Sequence, residues 1–279
     1  MIDVVIPIYN AYEALQNCLS SLAQQQVQAY NIYLINDAST DKRVKPYLQD
    51  IAEKNSWHLI NHAVNQGFVK TANEGLRLSD SHTILLNSDT IVSKFWLDAF
   101  LQAIQNIPQL GTATAWSNNA EICSFPKFLT QNKTPKNINI ISEILYKSYK
   151  PRYPILPTAV GFCMLVTELA KGKVGYFDAV HFGHGYGEEN DYSMRVVAAG
   201  LTNILCDNAY VAHIGNQSFN DLGLQPNEKT MYRLLQKHPK YGQMIQTYID
   251  SDPLAEVRTD ILSLIKQKNT ELYQELISQ

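Results

Sequence analysis

Short apolar runs alternate with helical patterns over roughly the first 115 residues of the chain. The runs are rich in β-branched residues and have the length of buried strands, whereas the segments between them repeat their apolar residues about every 3.6 positions. The strand-like runs read IDVVIPI, NIYLIND, WHLINH, HTILLN and GTATAW. The helical positions are Tyr12, Leu15, Leu19 and Leu22, then Val44, Leu48 and Ile51, then Phe95, Leu97, Leu101 and Ile104. This order predicts βαβ units in an α/β fold with a mainly parallel, doubly wound sheet.

The pattern changes over residues 117–157, which are irregular and rich in Asn, Lys and Pro. The elements predicted from there on are, in order, a helix near 139–149, the strand-like run AVGFCMLV, a helix from about Glu188 to Gly200, short strands through Leu205 and Val211, and only helices after Gln225. We therefore predict a globular α/β domain over residues 1–224 and a helical C-terminal extension over residues 225–279.

One long apolar stripe marks the end of the chain. Its members are Leu254, Val257, Ile261, Leu264, Ile265, Leu272 and Leu276. A helix with one apolar face has to bury that face. The stripe either packs back on its own domain or contacts a partner chain, another module or a membrane surface, and the pattern is compatible with both.

The composition is that of a globular protein, with 45% hydrophobic and 18% charged residues among 279. Lys and Arg total 23 against 26 for Asp and Glu, so no basic field would attract nucleic acid. No apolar run approaches the roughly 20 residues of a membrane span, and the N-terminal residues lack the pattern of a signal peptide. We therefore expect a cytoplasmic protein.

Scattered cysteines without a CxxC pair predict free, buried thiols at Cys18, Cys123, Cys163 and Cys206.

Polar loops follow the predicted strands, at the edge of the sheet where ligands of such folds bind. Asp37 is suited to accept from a base or a ribose hydroxyl. Downstream, Asn65, Gly67, Lys70 and Asn73 belong to a compact loop that opens a helix, and free N–H groups at a helix start suit phosphate. Asp37 also fits an Asx-turn or helix cap, and Lys70 also fits a solvated helix face.

Asp89 in LLNSDT stands just past a buried strand. A lone buried carboxylate is costly, and a divalent cation that links it to a diphosphate would offset this cost. Asp89 also fits the cap of the helix that follows Lys94. His213 closes a later strand, and a single histidine of this kind is structural more often than it is a ligand.

Three carboxylates begin the helix predicted near residue 188, namely Glu188, Glu189 and Asp191. The helix dipole tolerates negative charge at this end. Asp191 and Arg195 are four residues apart, so we expect them to pair on one helical face. That pairing would leave a neighbouring carboxylate to act as a base, although an ordinary acidic first turn has the same composition.

Six segments stand in a fixed order along the chain: VVIPIYN, INDASTD, NQGFVKTANEGL, LLNSDT, GYFDAVHFGHGYGEENDYSMR and AHIGNQSF. Together they resemble the inverting glycosyltransferases of family 2, which have a GT-A fold, in the rhamnosyltransferase-like branch. The resemblance covers residues 2–220 in outline. It implies a Rossmann-like nucleotide-binding half with a central, mainly parallel sheet, an acceptor-binding half and a helical C-terminal extension.

The resemblance also implies roles for individual residues. Contacts to the nucleotide sugar would come from Pro7, Tyr9, Asn10, Asp37, Asn65, Gly67, Lys70, Asn73, Asn87, Ser88 and Asp89. The DXD triplet of the family aligns with Asn87-Ser88-Asp89, so a Mn²⁺ or Mg²⁺ ion would rest on Asp89 and His213. The catalytic Glu-Asp pair aligns with Glu188 and Glu189. Residues on the acceptor side would be Gly161, Phe162 and Asp191.

The predicted function is therefore metal-dependent, inverting transfer of a sugar from a nucleotide diphosphate donor to a hydroxyl of a glycan or lipid-linked glycan, such as a bacterial surface glycan. Glu189 would act as the base. A lipid-linked acceptor would place the protein at the inner face of the membrane. Two rivals are a nucleotidyltransferase, although VVIPIYNAYE lacks its Gly-rich basic loop, and a catalytically silent glycan-binding protein, although Asp89, Glu189 and His213 are all retained.

Overall fold

The computed structural model describes residues 1–25, 31–183, 185–215 and 228–278. Within these ranges eight strands form one sheet in the order β3-β2-β1-β4-β7-β6-β8-β5. The strands are β1 (Ile2–Ile8), β2 (Ile32–Asn36), β3 (His58–Asn61), β4 (His82–Leu86), β5 (Thr90–Val92), β6 (Leu110–Trp116), β7 (Cys163–Val166) and β8 (Thr202–His213).

Twelve α-helices lie in the described ranges, with a short 3₁₀ turn at Glu121–Cys123. The helices are α1 (Tyr12–Ala23), α2 (Val44–Asn55), α3 (Phe68–Leu78), α4 (Trp96–Asn106), α5 (Ile138–Ser148), α6 (Glu168–Val174), α7 (Ala179–Phe182), α8 (Glu188–Ala198), α9 (Glu228–Lys237), α10 (Tyr241–Ser251), α11 (Ala255–Lys268) and α12 (Thr270–Ile277).

The α/β fold with a mainly parallel sheet is confirmed. Strands β1, β2, β3 and β4 pair in parallel, as do β6 and β8, while β7 runs antiparallel to both β4 and β6. The five apolar runs of the N-terminal part form β1, β2, β3, β4 and β6. Three elements are additional to the predicted ones, namely β5, α6 and α7.

Strand β8 corrects the prediction of two short strands, because it runs unbroken from Thr202 to His213. Its middle carries Asp207, which interrupts the apolar pattern and yet is fully buried. The carboxylate accepts hydrogen bonds from the backbone N–H of Arg152 at 2.9 Å and of Tyr153 at 3.1 Å. A buried polar residue is tolerated where it is hydrogen-bonded, so the strand continues through it.

Helices cover the sheet on both faces, as expected of a doubly wound fold. Alternate residues of β1 face opposite sides, so Val4 and Ile6 join a core with α1, α2, α4 and α5, whereas Val5 joins a second core with α3 and α8. Helix α3 approaches β1 closely at Gly75, where an added Cβ would lie 2.1 Å from a methyl group of Val5. The sheet is thus held between two layers, and its strand ends are left for the loops.

The apolar stripe at the end of the chain packs on its own domain, so the alternative that it serves a partner or a membrane is wrong for this face. Its residues fall on two helices, α11 and α12, with Asn269 capping the second. Helix α11 packs against α5, and six of the seven stripe residues are buried in the larger core, with Leu264 partly buried beside them. The proposed boundary at 224/225 lies outside the described residues.

All four cysteines are free and buried, as predicted. Among the described residues, no helix is both long and apolar enough to cross a membrane.

Candidate active site

The loops that follow β1, β2 and β4 meet the start of α3 around one cleft. Its lining includes eight of the predicted nucleotide contacts, namely Pro7, Tyr9, Asp37, Asn65, Gly67, Asn87, Ser88 and Asp89. Ile8, Phe68 and Thr71 also line it, although the prediction did not include them. Phe68 belongs to the NQGF segment, so its position in that motif was an available signal. The cleft lies beyond the carboxyl ends of parallel strands, where such sheets bind ligands.

Asp37 organises the floor of this cleft. Its carboxylate is 4% exposed and accepts hydrogen bonds from the backbone N–H of Gln66 at 2.8 Å and of Gly67 at 2.9 Å. The side-chain amide of Asn65 donates to the Asp37 carbonyl at 3.2 Å. A negative charge at the start of α3 also interacts favourably with the helix dipole. Asp37 therefore holds the loop that opens α3 and does not cap the helix after Asp41.

His62 lies between the carboxylates of Asp37 and Glu74. Its Nδ1 lies 2.7 Å from Asp37 Oδ1 and its Nε2 lies 2.7 Å from Glu74 Oε2. Carboxylate oxygens only accept, so both ring nitrogens must carry a proton to satisfy both contacts. Burial lowers the pKa of His62, but its hydrogen bonds to the two carboxylates outweigh burial, and the net pKa is raised. His62 was not predicted, and its position directly after β3 is its one signal in the sequence.

Gly67 is required at the start of α3 for two reasons. Its backbone has a φ of +86°, which L side chains rarely adopt, and an added Cβ would lie 2.8 Å from the Gly183 carbonyl oxygen. The loop before α8 is therefore in direct contact with the loop that opens α3, so the two sides of the site are joined here.

Asn10, a predicted nucleotide contact, forms hydrogen bonds with other residues of the protein in this structure. Its Oδ1 accepts hydrogen bonds from the backbone N–H of Thr40 at 2.8 Å and of Asp41 at 3.0 Å. Its own N–H donates to the Ser39 hydroxyl at 3.0 Å. Asn10 thereby connects the loop after β1 to the loop after β2.

Two of the predicted nucleotide contacts lie away from the cleft. Lys70 and Asn73 line a separate depression along α3 together with Glu74 and Arg77. The Asn73 side chain is 2% exposed, and its amide exchanges hydrogen bonds with the backbone of Phe177 at 2.8 and 2.9 Å. These positions correct the prediction, because Lys70 and Asn73 each lie two places after a cleft-lining residue of α3, and helical residues two apart point to different faces.

Asp89 and His213 meet at the end of the cleft. His213 Nε2 lies 3.3 Å from Asp89 Oδ1, and their side chains are 16% and 7% exposed respectively. The pairing of β5 with β8 brings them together, because Thr90 is opposite His213 in the antiparallel register. Burial lowers the pKa of His213, but the neighbouring Asp89 carboxylate raises it by more.

The imidazole of His213 is oriented by its neighbours. Its Nδ1 lies 2.8 Å from the Asn119 carbonyl oxygen, and its backbone N–H donates to Asn118 Oδ1 at 2.9 Å. A carbonyl oxygen only accepts, so Nδ1 carries the proton and the lone pair of a neutral ring is on Nε2. The ring of Phe162 stacks on His213 at a centroid distance of 5.2 Å. Asn118 and Asn119 were not predicted, and nothing local in the sequence indicates their role.

Glu188 and Glu189 begin α8 beside the cleft. Glu188 is 5% exposed, whereas Glu189 is only partly buried. Among the described residues, the Oε2 atom of each has no hydrogen-bond partner. Burial raises the pKa of both groups, that of Glu189 to about 7, and the charge of Glu189 raises the pKa of Glu188 further. Near neutral pH this arrangement favours a proton on Glu188 and leaves Glu189 partly ionised.

Gly161 and Phe162 connect this pair with the cleft. A Cβ added at Gly161 would lie 3.9 Å from Cγ of Glu189, so the backbone of Gly161 passes along the Glu189 side chain. The carbonyl of Phe162 accepts from the N–H of Asn87, a cleft residue, at 2.9 Å. Glu121 faces the pair from the 3₁₀ turn, and its charge also raises the pKa of Glu189.

Asp191 pairs with Arg195 as predicted, with Nε of Arg195 2.9 Å from Oδ2 of Asp191. The structure corrects the prediction that Asp191 lies on the acceptor side. Its carboxylate is 0% exposed and points towards the C-terminal helices. The other oxygen, Oδ1, lies 2.7 Å from Lys237 Nζ and 2.8 Å from His238 Nε2. These two partners come from far along the chain and could not be predicted from the sequence of the helix itself.

Several solved structures have a similar fold. GalNAc-T7 with UDP, GalNAc and Mn²⁺ superposes with a TM-score of 0.64 at 14% identity, over 85% of this chain and 48% of that chain. TarS of S. aureus gives a TM-score of 0.56 at 16% identity, over 97% and 82% of the two chains. Mannosyltransferase PcManGT from Pyrobaculum calidifontis, in complex with GDP-Man and Mn²⁺, gives 0.57 at 12% identity, over 99% and 78%.

Sequence relatives come from staphylococci. The poly-beta-1,6-N-acetyl-D-glucosamine synthase of Staphylococcus epidermidis is 25% identical over 178 residues, which are 63% of this chain and 42% of that protein. A teichoic acid poly(glycerol phosphate) polymerase of the same species is 28% identical over 109 residues, or 38% and 15% of the two chains. The match thus spans less than half the length of these relatives. The sequence profile of glycosyl transferase family 2 matches residues 3–158, more than half of the chain, and the protein belongs to this family.

Proposed function

We propose that the protein is a glycosyltransferase that moves a sugar from a nucleotide diphosphate donor to an acceptor hydroxyl, with inversion at the sugar carbon and with help from a divalent cation. The observation that carries this proposal is the arrangement of the site. A cleft built from strand-end loops ends at an Asp–His pair and adjoins a buried carboxyl pair with one partly exposed member. Membership of family 2 supports the same reaction class.

The donor would lie in the cleft with its nucleoside near Pro7, Tyr9 and Asp37. The two backbone N–H groups beyond Asn65 are bonded to Asp37, so the Asp37 carboxylate shapes the donor loop in addition to lining the cleft. The diphosphate would lie towards Asn87, Ser88 and Asp89, at the end nearest the base.

Asp89 and His213 fit a divalent cation. The pair supplies a carboxylate oxygen and an imidazole nitrogen whose tautomer is set by Asn119, which is a usual arrangement around a metal-bound histidine. Among the described residues no group of three or more metal-binding side chains occurs, so diphosphate oxygens and water would complete the coordination of Mn²⁺ or Mg²⁺. When bound, the ion would neutralise charge on the departing nucleotide diphosphate.

Glu189 would accept the proton of the acceptor hydroxyl. The oxygen of that hydroxyl attacks the anomeric carbon of the donor sugar, and the bond from this carbon to the phosphate oxygen breaks, so that the nucleotide diphosphate leaves. Glu189 is suited to this task because it is more exposed than Glu188 and because its pKa of about 7 leaves an ionised fraction at neutral pH. Its raised pKa makes it a stronger base than a solvated carboxylate.

The acceptor would be a glycan or a lipid-linked glycan, reached past Gly161 and Phe162. The sequence relatives are named as enzymes that make bacterial polymers, which supports a polysaccharide acceptor of bacterial origin. Within the family, the order of motifs favours the rhamnosyltransferase-like branch. A lipid-linked acceptor would bring the protein to the cytoplasmic face of the membrane.

A panel of nucleotide sugars, incubated with the protein, Mn²⁺ and candidate glycans, tests the proposal through the release of nucleotide diphosphate. Release with at least one donor, faster with an acceptor present, is expected. Release of pyrophosphate from a nucleoside triphosphate and a sugar phosphate would instead indicate a nucleotidyltransferase. Binding of a donor without turnover under any of these conditions would indicate a silent glycan-binding protein.

A further inference from the structure

We propose that helices α9 and α10 belong to the catalytic apparatus, with Lys237, His238 and Tyr241 as positioning residues that hold the first turn of α8. This inference rests on the proposed function of Glu188 and Glu189, which occupy that turn. The three positioning residues do not touch the cleft. They act through Asp191 and Asn190, the neighbours of the glutamates on α8.

Lys237 ties two short elements of the site to each other. Its Nζ lies 2.7 Å from Asp178 Oδ2 and 2.7 Å from Asp191 Oδ1. Asp178 is the cap of α7, and its side chain accepts from the backbone N–H groups of Val180 and His181. Lys237 lowers the pKa of Asp178 even though burial of that carboxylate acts in the opposite direction. One ammonium group thus links the starts of α7 and α8.

Asp191 connects α8 to Lys237 and His238. The carboxylate is wholly buried, and Arg195, Lys237 and His238 surround it. A buried carboxylate with several charge-assisted hydrogen bonds has few alternative positions. Because Asp191 lies two residues after Glu189, its position restricts the first turn of α8 that carries the base.

Tyr241 adds a contact on the acceptor side. Its hydroxyl donates to Asn190 Oδ1 at 2.7 Å, and the hydroxyl of Thr158 donates to the same oxygen at 2.8 Å. Thr158 lies three residues before Gly161, which passes along Glu189. The α8 turn is therefore held from one side by the segment that approaches the acceptor and from the other by α10.

A small apolar cluster packs α9 and α10 against the first turn of α8. Phe182, Leu234 and Tyr241 form it, separate from the two large cores. Gly187, immediately before α8, has a φ of +94°, and an added Cβ would lie 3.1 Å from Thr230 and 3.2 Å from Phe182. Thr230 of α9 and Phe182 of α7 thus lie so close to the start of α8 that a side chain there would have to displace them.

Lys237→Met, compared with Lys240→Met, tests the inference. Lys240 is an exposed lysine three residues further on, so its loss serves as the control. We expect Lys237→Met to lower kcat by roughly tenfold or more with KM for the donor within about twofold, because misplacement of a catalytic group acts on turnover. Lys237→Arg keeps a cation that reaches both carboxylates and should recover most of the loss.

Tyr241→Phe is a milder second variant, for the case that Lys237→Met fails to fold. It removes only one hydroxyl. We expect a smaller fall in kcat of about threefold to tenfold, with the melting temperature nearly unchanged. Amide hydrogen exchange of residues 187–191 should accelerate in Lys237→Met and in Tyr241→Phe, while exchange in β1 and β4 stays at the wild-type rate.

The exchange measurement does not depend on activity, so the two proposals can fail separately. If no donor is ever turned over but exchange at the start of α8 rises in both variants, the proposed reaction is wrong and the positioning contact stands. If turnover is normal in Lys237→Met, or if kcat, donor KM and global exchange all deteriorate together, α9 and α10 stabilise the domain without positioning the base, and the inference is overturned.

Discussion

The donor side and the base side of the site are stabilised in different ways. On the donor side, Asp37 and Asn10 hold neighbouring strand-end loops through hydrogen bonds to backbone N–H groups. On the proposed base side, α8 is held by Lys237 and His238, which follow much later in the chain. The family match covers residues 3–158 and so includes the donor side but stops before Glu188. The donor loops are held by contacts within the matched part of the chain, whereas the proposed base is held by contacts outside it.

The largest expected effect is the loss of the base. Glu189→Gln keeps the shape of the side chain and removes its ability to accept a proton, so transfer should fall by about 10²- to 10⁴-fold. Donor affinity, measured by calorimetry, should stay within about twofold of wild type, because Glu189 is not among the residues that line the donor cleft.

Glu188→Gln is the matched variant for this prediction. It mimics the protonated form that burial and Glu189 favour at Glu188, so it should lose much less activity. An inactive Glu188→Gln together with an active Glu189→Gln would make Glu188 the base.

The next largest effect concerns the Asp–His pair at the end of the cleft. Asp89→Ala, or an excess of EDTA with the wild type, should reduce transfer by at least about tenfold, because a metal contributes several kcal/mol of charge stabilisation. Manganese titration in the presence and absence of nucleotide diphosphate should show cooperative binding, which Asp89→Ala should lose. Asp50→Asn, at an exposed helical ion pair, is the control. Full activity in EDTA would rule out the metal.

A moderate effect is expected at Asp37. Asp37→Asn has one acceptor oxygen in place of two and no charge, so it weakens the hydrogen bonds to Gln66 and Gly67 and should cost about 1–3 kcal/mol of stability. Donor affinity should fall by roughly tenfold, because the loop that lines the cleft loosens. Chemical denaturation and calorimetry measure the two losses. Normal donor binding would mean that the Asp37 loop does not contact the donor.

His62 should make the protein less stable as the pH rises. Its pKa in the folded protein is raised above the ordinary value of 6.5, so its stabilising contribution is fully present below about pH 6.5 and is lost as the pH rises through the folded-state pKa. The stability difference between wild type and His62→Gln, on the order of 1 kcal/mol, should therefore shrink at alkaline pH. Denaturation at a series of pH values checks this, and a difference that grows with pH would contradict it.

The smallest effect is expected at Lys70. The structure places it beside a separate depression, so Lys70→Met should change donor affinity by less than about twofold. A larger loss, measured by calorimetry with the donor diphosphate, would show that the loop closes on the donor and would bring back the original assignment of Lys70 to the nucleotide.

The sequence by itself determined most strands, most helices and the cleft at the strand ends, because apolar periodicity and turn chemistry act over short distances along the chain. It also predicted the Asp191–Arg195 pair, which needs only one turn of helix. The tertiary structure decided which face of α3 carries Lys70, where the C-terminal stripe packs and how α8 is held. Those outcomes depend on partners that are remote in sequence. Asp191 and Lys237 are 46 positions apart, and only the packing of α9 against α8 brings their charges into contact.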